Sequence, residues 1–128
     1  MEIARINHTP DWDPPADWAD IRGRVLKYLN QGIVLIRAMG NGSDRHNSQA
    51  PENVPLGFCT DGMWIWALGM AYYIEKYDLS IDPDLLAHIR EQDFEAPTPS
   101  DDEVNEAFEF LQSAMERYVD ESQQGEAD

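Results

Sequence analysis

The sequence predicts an α+β domain, with about four helices packed on a small antiparallel sheet of about three strands. Three observations carry that reading. Apolar residues recur at three- and four-residue spacing in several separate stretches. A short aliphatic run, Ile33-Val34-Leu35-Ile36, is followed at once by Gly40-Asn41-Gly42. Asp61-Gly62 stands between two apolar arms, Phe58-Cys59-Thr60 and Met63-Trp64-Ile65-Trp66, which is a hairpin signal. With 128 residues, 42% of them hydrophobic, residues 1–128 read as a single domain with a core of its own.

Residues 1–15 read as an irregular arm, because Pro10, Pro14 and Pro15 oppose regular structure. Trp12 and Trp18 are expected to pack that arm onto the body. Asp13 followed by Pro14 predicts a helix start, a carboxylate cap and then proline at the first helical position. Trp18, Ile21, Val25, Tyr28 and Leu29 form its apolar stripe, and Gly32 is expected to end it as a left-handed cap. Arg22, Arg24 and Lys27 lie on the other face. Ile33 to Arg37 reads as a buried strand, and residues 40–55, rich in Gly, Asn, Ser and Pro, as a long polar loop. The hairpin strands are expected near 56–60 and 63–66.

From Ala67 to Tyr77 the pattern becomes helical and apolar on most sides, which predicts a central helix. Asp82-Pro83 repeats the cap-then-proline signal for a third helix striped by Leu85, Leu86 and Ile89 and ending near Gln92. Pro97 and Pro99 mark a linker. Ser100 with Glu103 is a capping box, so a fourth helix of about 20 residues begins at Asp101. Its stripe is Val104, Ala107, Phe108, Leu111, Met115 and Tyr118. Residues 122–128 are expected to be a frayed tail.

Composition narrows the function. The longest apolar stretch, Met63 to Ile74, is 12 residues, well short of the ~20 that span a bilayer. The first residues carry no apolar signal core, and the single Cys59 excludes an internal disulfide, so a cytoplasmic protein is expected. The formal net charge of −16 repels nucleic acid and anionic membrane and favours basic surfaces. That charge is uneven: residues 1–57 hold seven acids against six bases, and residues 58–128 hold 18 acids against three bases.

No catalytic constellation stands out. Cys59 lies in a predicted strand and reads as a core cysteine, with no adjacent base to activate it. His8, His46 and His88 are far apart, and only His46 falls in a loop suited to a site. The acidic run Asp11, Asp13, Asp17, Asp20 lacks the glycine and the closing glutamate of a calcium loop. No Cys/His spacing suits zinc, and Gly40-Asn41-Gly42 lacks the lysine of a phosphate loop. No enzyme, metal or cofactor is expected. Trp64/Trp66 and Tyr72/Tyr73 read as core aromatics before they read as pocket walls.

The fourth helix is the exception. On a helical wheel Asp102, Glu106, Glu109, Glu116 and Asp120 share the face opposite the apolar stripe. Like charges three or four apart destabilise a helix by a few tenths of a kcal/mol per pair, and only Arg117 offsets them. Asp120 and Glu121 also stand at the end of the helix dipole that prefers cations. A solvated face kept for solubility is the plain reading, and a docking face for a positively charged partner is the sharper one. Glu91, Asp93 and Glu95 would extend it.

The stretch Asp61-Gly-Met-Trp-Ile-Trp66, with Ala71-Tyr-Tyr-Ile74 and Leu85-Leu-Ala-His-Ile-Arg90, resembles small acidic bacterial proteins encoded beside secreted toxins. The similarity covers residues 56–97. Such immunity proteins bind and block a cognate toxin and share no common active site. The resemblance therefore implies an inhibitor and assigns no residues. With the acidic helix, the expectation is a cytoplasmic immunity-type protein that occludes a basic effector, a nucleic-acid-targeting one being among the candidates, through Asp102, Glu106, Glu109, Glu116 and Asp120. Three rivals stand beside it. One is a nucleic-acid mimic that blocks a nuclease or phage-defence complex. Another is a small ligand binder or enzyme built on the 40–55 loop with His46. The last is a dimerising structural subunit.

Overall fold

The computed structural model describes residues 1–6 and 12–126, with side chains as far as Arg117. His8, Pro10 and Asp11, and the side chains of Tyr118 and Asp120, lie outside the described residues. The elements run β1 (Glu2–Ile3), α1 (Trp18–Asn30), β2 (Ile33–Gly42), β3 (Val54–Thr60), β4 (Trp64–Ala67), α2 (Gly69–Tyr77), α3 (Pro83–Glu91) and α4 (Asp101–Glu126). The class is α+β, with four strands in the order β1-β4-β3-β2 rather than three. The sheet is mixed. β2/β3 and β3/β4 are antiparallel, while β1, hidden in the arm, pairs parallel to β4 through Glu2 with Trp64 and Ile3 with Ile65. Two residues carry no readable period, so sequence alone passed over β1.

Alternation along β3 and β4 divides the core into two. Cys59 and Trp66 join Val25, Tyr28, Met70, Ile74, Leu85 and Ile89 of α1, α2 and α3. Ile65 and Phe58 turn the other way, against Ala107, Phe110 and Leu111 of α4. The sheet is thus covered by three helices on one face and by α4 on the other.

Several boundaries differ from expectation for identifiable reasons. α1 starts at Trp18, with Asp17 rather than Asp13 at the N-cap. Pro15 disfavours helical geometry at the residue before it, so Pro14 does not open a helix. The Asp17 carboxylate makes no cap bond, because Arg90 holds it bidentately at 2.8 and 2.9 Å. α1 ends on Gln31 in right-handed geometry, and Gly32 is not a left-handed cap. Gly32 is instead a contact position: a Cβ there would stand 2.7 Å from the Trp66 ring.

β2 is ten residues long rather than four or five, and the loop shrinks to residues 43–53. Two register shifts, between Val34 and Ile36 and between Arg37 and Asn41, keep the strand paired through its glycines. Gly57 opposite has φ +142, and a Cβ there would lie 2.1 Å from the Ile36 carbonyl oxygen, so the close approach of β2 and β3 requires glycine. The hairpin turn has positive φ at Gly62 alone. Asp61 closes it differently, its carboxylate accepting from the Met63 and Trp64 amides at 2.9 and 2.8 Å. α2 begins at Gly69, two residues after the expected Ala67.

Other signals hold. Asp82 caps α3 by accepting from the Asp84 amide, with Pro83 next in the chain. Ser100 and Glu103 form the reciprocal capping box of α4, at 3.0 and 3.2 Å. Trp12 and Trp18 meet edge-to-face at 5.1 Å and both donate to Asp78, whose left-handed backbone ends α2. Arg22 donates to the Ile74 and Glu75 carbonyls at that same helix end, where a cation offsets the dipole. α4 continues helical to Glu126, past the point expected to begin a frayed tail.

Candidate functional site

α4 sits on the sheet through Ala107 and Leu111, both fully buried, and through Phe110. This contact line differs from the expected stripe. Val104 and Phe108 are only half-buried, and Met115 is 45% exposed. Between Gln112 and Arg117, the last side chain described, Gln112, Ser113, Met115, Glu116 and Arg117 are exposed and Ala114 is partly covered. Past Leu111 the described side chains thus lose the cover of the sheet, which leaves Met115 of the apolar stripe in solvent together with Glu116 of the acidic face.

Asp102, Glu106, Glu109 and Glu116 are all exposed, as the wheel predicts. The lysine and arginine ion pairs among the described residues lie elsewhere: Arg22–Asp78 at 3.0 Å, Arg24–Asp93 at 3.9 Å, Arg90–Asp17 at 2.8 Å and Lys76–Asp44 at 3.2 Å. Bases of α1 do fold across onto C-terminal acids, but they stop at Asp78 and Asp93, and among the described residues none pairs with an acid of α4. Asp93, expected to extend the acidic face, lies 3.9 Å from Arg24 with its side chain 95% exposed.

Two polar clusters escaped sequence reading. In the first, the Asp61 carboxylate accepts from the Tyr28 hydroxyl and lies 2.7 Å from His88 Nε2, in addition to the two turn amides. Tyr28 is 0% and Asp61 2% exposed. Burial works to raise the Asp61 carboxyl, but the Tyr28 hydroxyl, the Trp64 and Met63 amides and His88 together hold it below the usual carboxylate range. Burial and the adjacent carboxylate push the Tyr28 phenol well above its ordinary value. Trp64 covers His88, ring centres 6.1 Å apart. The residue types match an acid–base relay, but Tyr28 and Asp61 present almost no surface to a substrate, so the cluster ties α1 and α3 to the hairpin turn. Nearby Cys59 is buried, and desolvation with the Asp61 charge pushes its thiol up to about 12, which keeps it protonated and unreactive at neutral pH.

The second cluster fixes the 43–53 loop. Asp44, buried, accepts from Tyr72 at 2.8 Å, Tyr77 at 2.6 Å, Lys76 at 3.2 Å and the His46 amide at 2.8 Å. Desolvation opposes its ionisation, and these donors, Tyr77 first, outweigh it and leave the carboxyl well below its ordinary value. The His46 ring rests 5.6 Å from Tyr73 and 5.0 Å from Tyr77. The Tyr72/Tyr73/Lys76/Tyr77 spacing along α2 was visible in the sequence, but nothing there joined it to Asp44, about 30 positions earlier.

Among the described residues no group of three or more His, Cys, Asp or Glu side chains is placed to hold a metal ion, and no helix is long and apolar enough to cross a membrane. Comparison with family models, with curated proteins and with solved structures finds no match to the chain.

Proposed function

We propose that this chain is a cytoplasmic inhibitor of the immunity type, which binds a basic effector protein through the outer face of α4. The observation that supports this is a row of exposed carboxylates, Asp102, Glu106, Glu109 and Glu116, that take part in none of the ion pairs found among the described residues, while Arg22, Arg24, Lys76 and Arg90 pair elsewhere and Arg117 is the one base on the helix. Asp120 continues the row on the helical wheel. Neutralising such a row on binding relieves repulsion within the helix as well as adding attraction across the interface, and complementary charge speeds encounter. Occlusion needs no catalytic group, in keeping with the two best-defined polar clusters serving to hold the fold together.

The test is capture of a basic protein from cells of the source organism by the immobilised chain. Binding is expected to weaken steeply with salt, since exposed charges are screened over about 8 Å at physiological ionic strength. Glu106→Lys, Glu109→Lys and Glu116→Lys together are expected to abolish it while the circular dichroism spectrum stays that of the parent. An affinity indifferent to salt, or to the triple reversal, overturns the reading. If the captured protein binds DNA, competition between the chain and a DNA duplex separates mimicry of phosphates from occlusion at another surface.

A further inference from the structure

The sheet has two edges of very different character. β1 spans two residues, too short to accept another strand, whereas β2 spans ten, and among the described residues nothing is paired with its outer side. An unpaired strand edge is a template for further pairing, and proteins that leave one open usually place charges on it. β2 carries a single charged residue, Arg37. Around that edge large apolar side chains stand in solvent: Ile33 is 41% exposed, Val34 49%, Met39 101% and Leu56 of β3 43%. These are four of the seven large hydrophobic side chains found exposed among the described residues.

The acid-free character of this region selects its occupant. In a chain with 25 acids, residues 31–43 and 53–60 contain none. Two copies with a net charge of −16 each repel one another wherever carboxylates would face carboxylates. The β2 edge is a long surface on which they meet without doing so. Antiparallel pairing of a strand with its own copy is also self-complementary about a two-fold axis, and it uses up the edge, so association closes at two chains.

We propose that the chain forms a homodimer through antiparallel pairing of β2 with β2 of a second copy, which joins two four-stranded sheets into one. The irregularities at Leu35 and at Ala38–Gly40 divide the edge into short runs, so Val34, Met39 and Leu56 carry the contact as much as the backbone does. This proposal is independent of the reading of α4, which lies on a face of the sheet rather than along this edge.

Sedimentation equilibrium of the full chain tests it. Dimerisation is expected to strengthen with added salt, because salt screens the repulsion between the two copies. This is the opposite sign to binding of a basic partner by α4, so either reading can fail without the other. Val34→Glu is expected to weaken dimerisation at least tenfold, about 1.4 kcal/mol. Met39→Glu acts in the same direction, and because that side chain is fully exposed the variant folds regardless. Glu116→Lys, away from the edge, leaves dimerisation equal or stronger. Hydrogen exchange over residues 31–43 is expected to slow as chain concentration rises. A chain that stays monomeric to about 1 mM in high salt overturns the proposal, that concentration corresponding to only about 4 kcal/mol of association. So does a dimer indifferent to both glutamate variants, or one whose 31–43 amides exchange at the same rate at every concentration.

Discussion

Asp61 and Asp44 each accept from four donors inside the fold, whereas Asp102, Glu106, Glu109 and Glu116 stand in solvent on α4, outside the ion pairs found among the described residues. The same functional group does opposite work in the two places. Inside, ionisation is favoured by hydrogen bonds that outweigh desolvation, and each carboxylate joins segments that are remote in sequence. Outside, ionisation is sustained by water, and the charges repel their neighbours along the helix. The buried pair therefore contributes to the fold, and the exposed row is available to a partner.

The largest effect that could break this comparison is expected from Asp61→Ala. It strands the Tyr28 hydroxyl and the His88 ring in the interior and opens the hairpin turn. Removing one member of a buried hydrogen-bonded network destabilises by about 3 kcal/mol, read by urea unfolding. A loss under about 1 kcal/mol would show that water replaces the carboxylate and that Asp61 is no anchor.

A second, smaller effect is expected in the pH dependence. The folded-state pKa of Asp61 is depressed, so its contribution is fully present above the unfolded aspartate value of about 3.9 and is lost as pH falls through the lower folded value. Asp44 adds a contribution of the same sign. The parent should lose stability between about pH 5 and pH 2 more steeply than Asp61→Ala does, as followed by unfolding midpoints across that range. Tyr28 acts at the other end. Its raised pKa means stability that is present below about 10 and lost as pH rises further.

The smallest effect is expected on α4. Glu106→Lys places a lysine four residues after Asp102 and Glu116→Lys one four residues before Asp120, so two like-charge pairs become attractive, while with Glu109→Lys the 106/109 pair stays like-charged. The triple variant should equal the parent in stability or exceed it by a few tenths of a kcal/mol per pair relieved, measured by thermal melting. A clear loss of stability would mean that the row is structural after all, and would merge the two sets of carboxylates that the comparison separates.

Legibility in the sequence followed the range of the interaction. The capping box at Ser100 and Glu103, the Asp82-Pro83 start of α3 and the Asp61-Gly62 hairpin were all readable, because each is a contact between residues at most three apart. The acidic row of α4 was readable for the same reason, since helical period alone sets it. The Asp13-Pro14 start misled because Pro15 forbids it and because Asp17 is drawn to Arg90, 73 positions away. Gly32 misled because its lack of a side chain serves the Trp66 ring rather than the backbone of α1.

By itself, then, the sequence determined four helices, a hairpin and an outward row of carboxylates, because hydrophobic period, caps and turn residues act over a few positions. Tertiary structure alone decided that two-residue β1 joins the sheet and that β2 runs on through its glycines as an open edge. It likewise decided that Asp61 gathers Tyr28 and His88, and that Asp44 gathers Tyr72, Lys76 and Tyr77. The β1 pairing and both carboxylate clusters depend on partners 27 or more positions away, and the glycine half of β2 on partners in β3 beyond the whole 43–53 loop; which distant donor a buried carboxylate meets is set by how the layers stack, not by any local pattern.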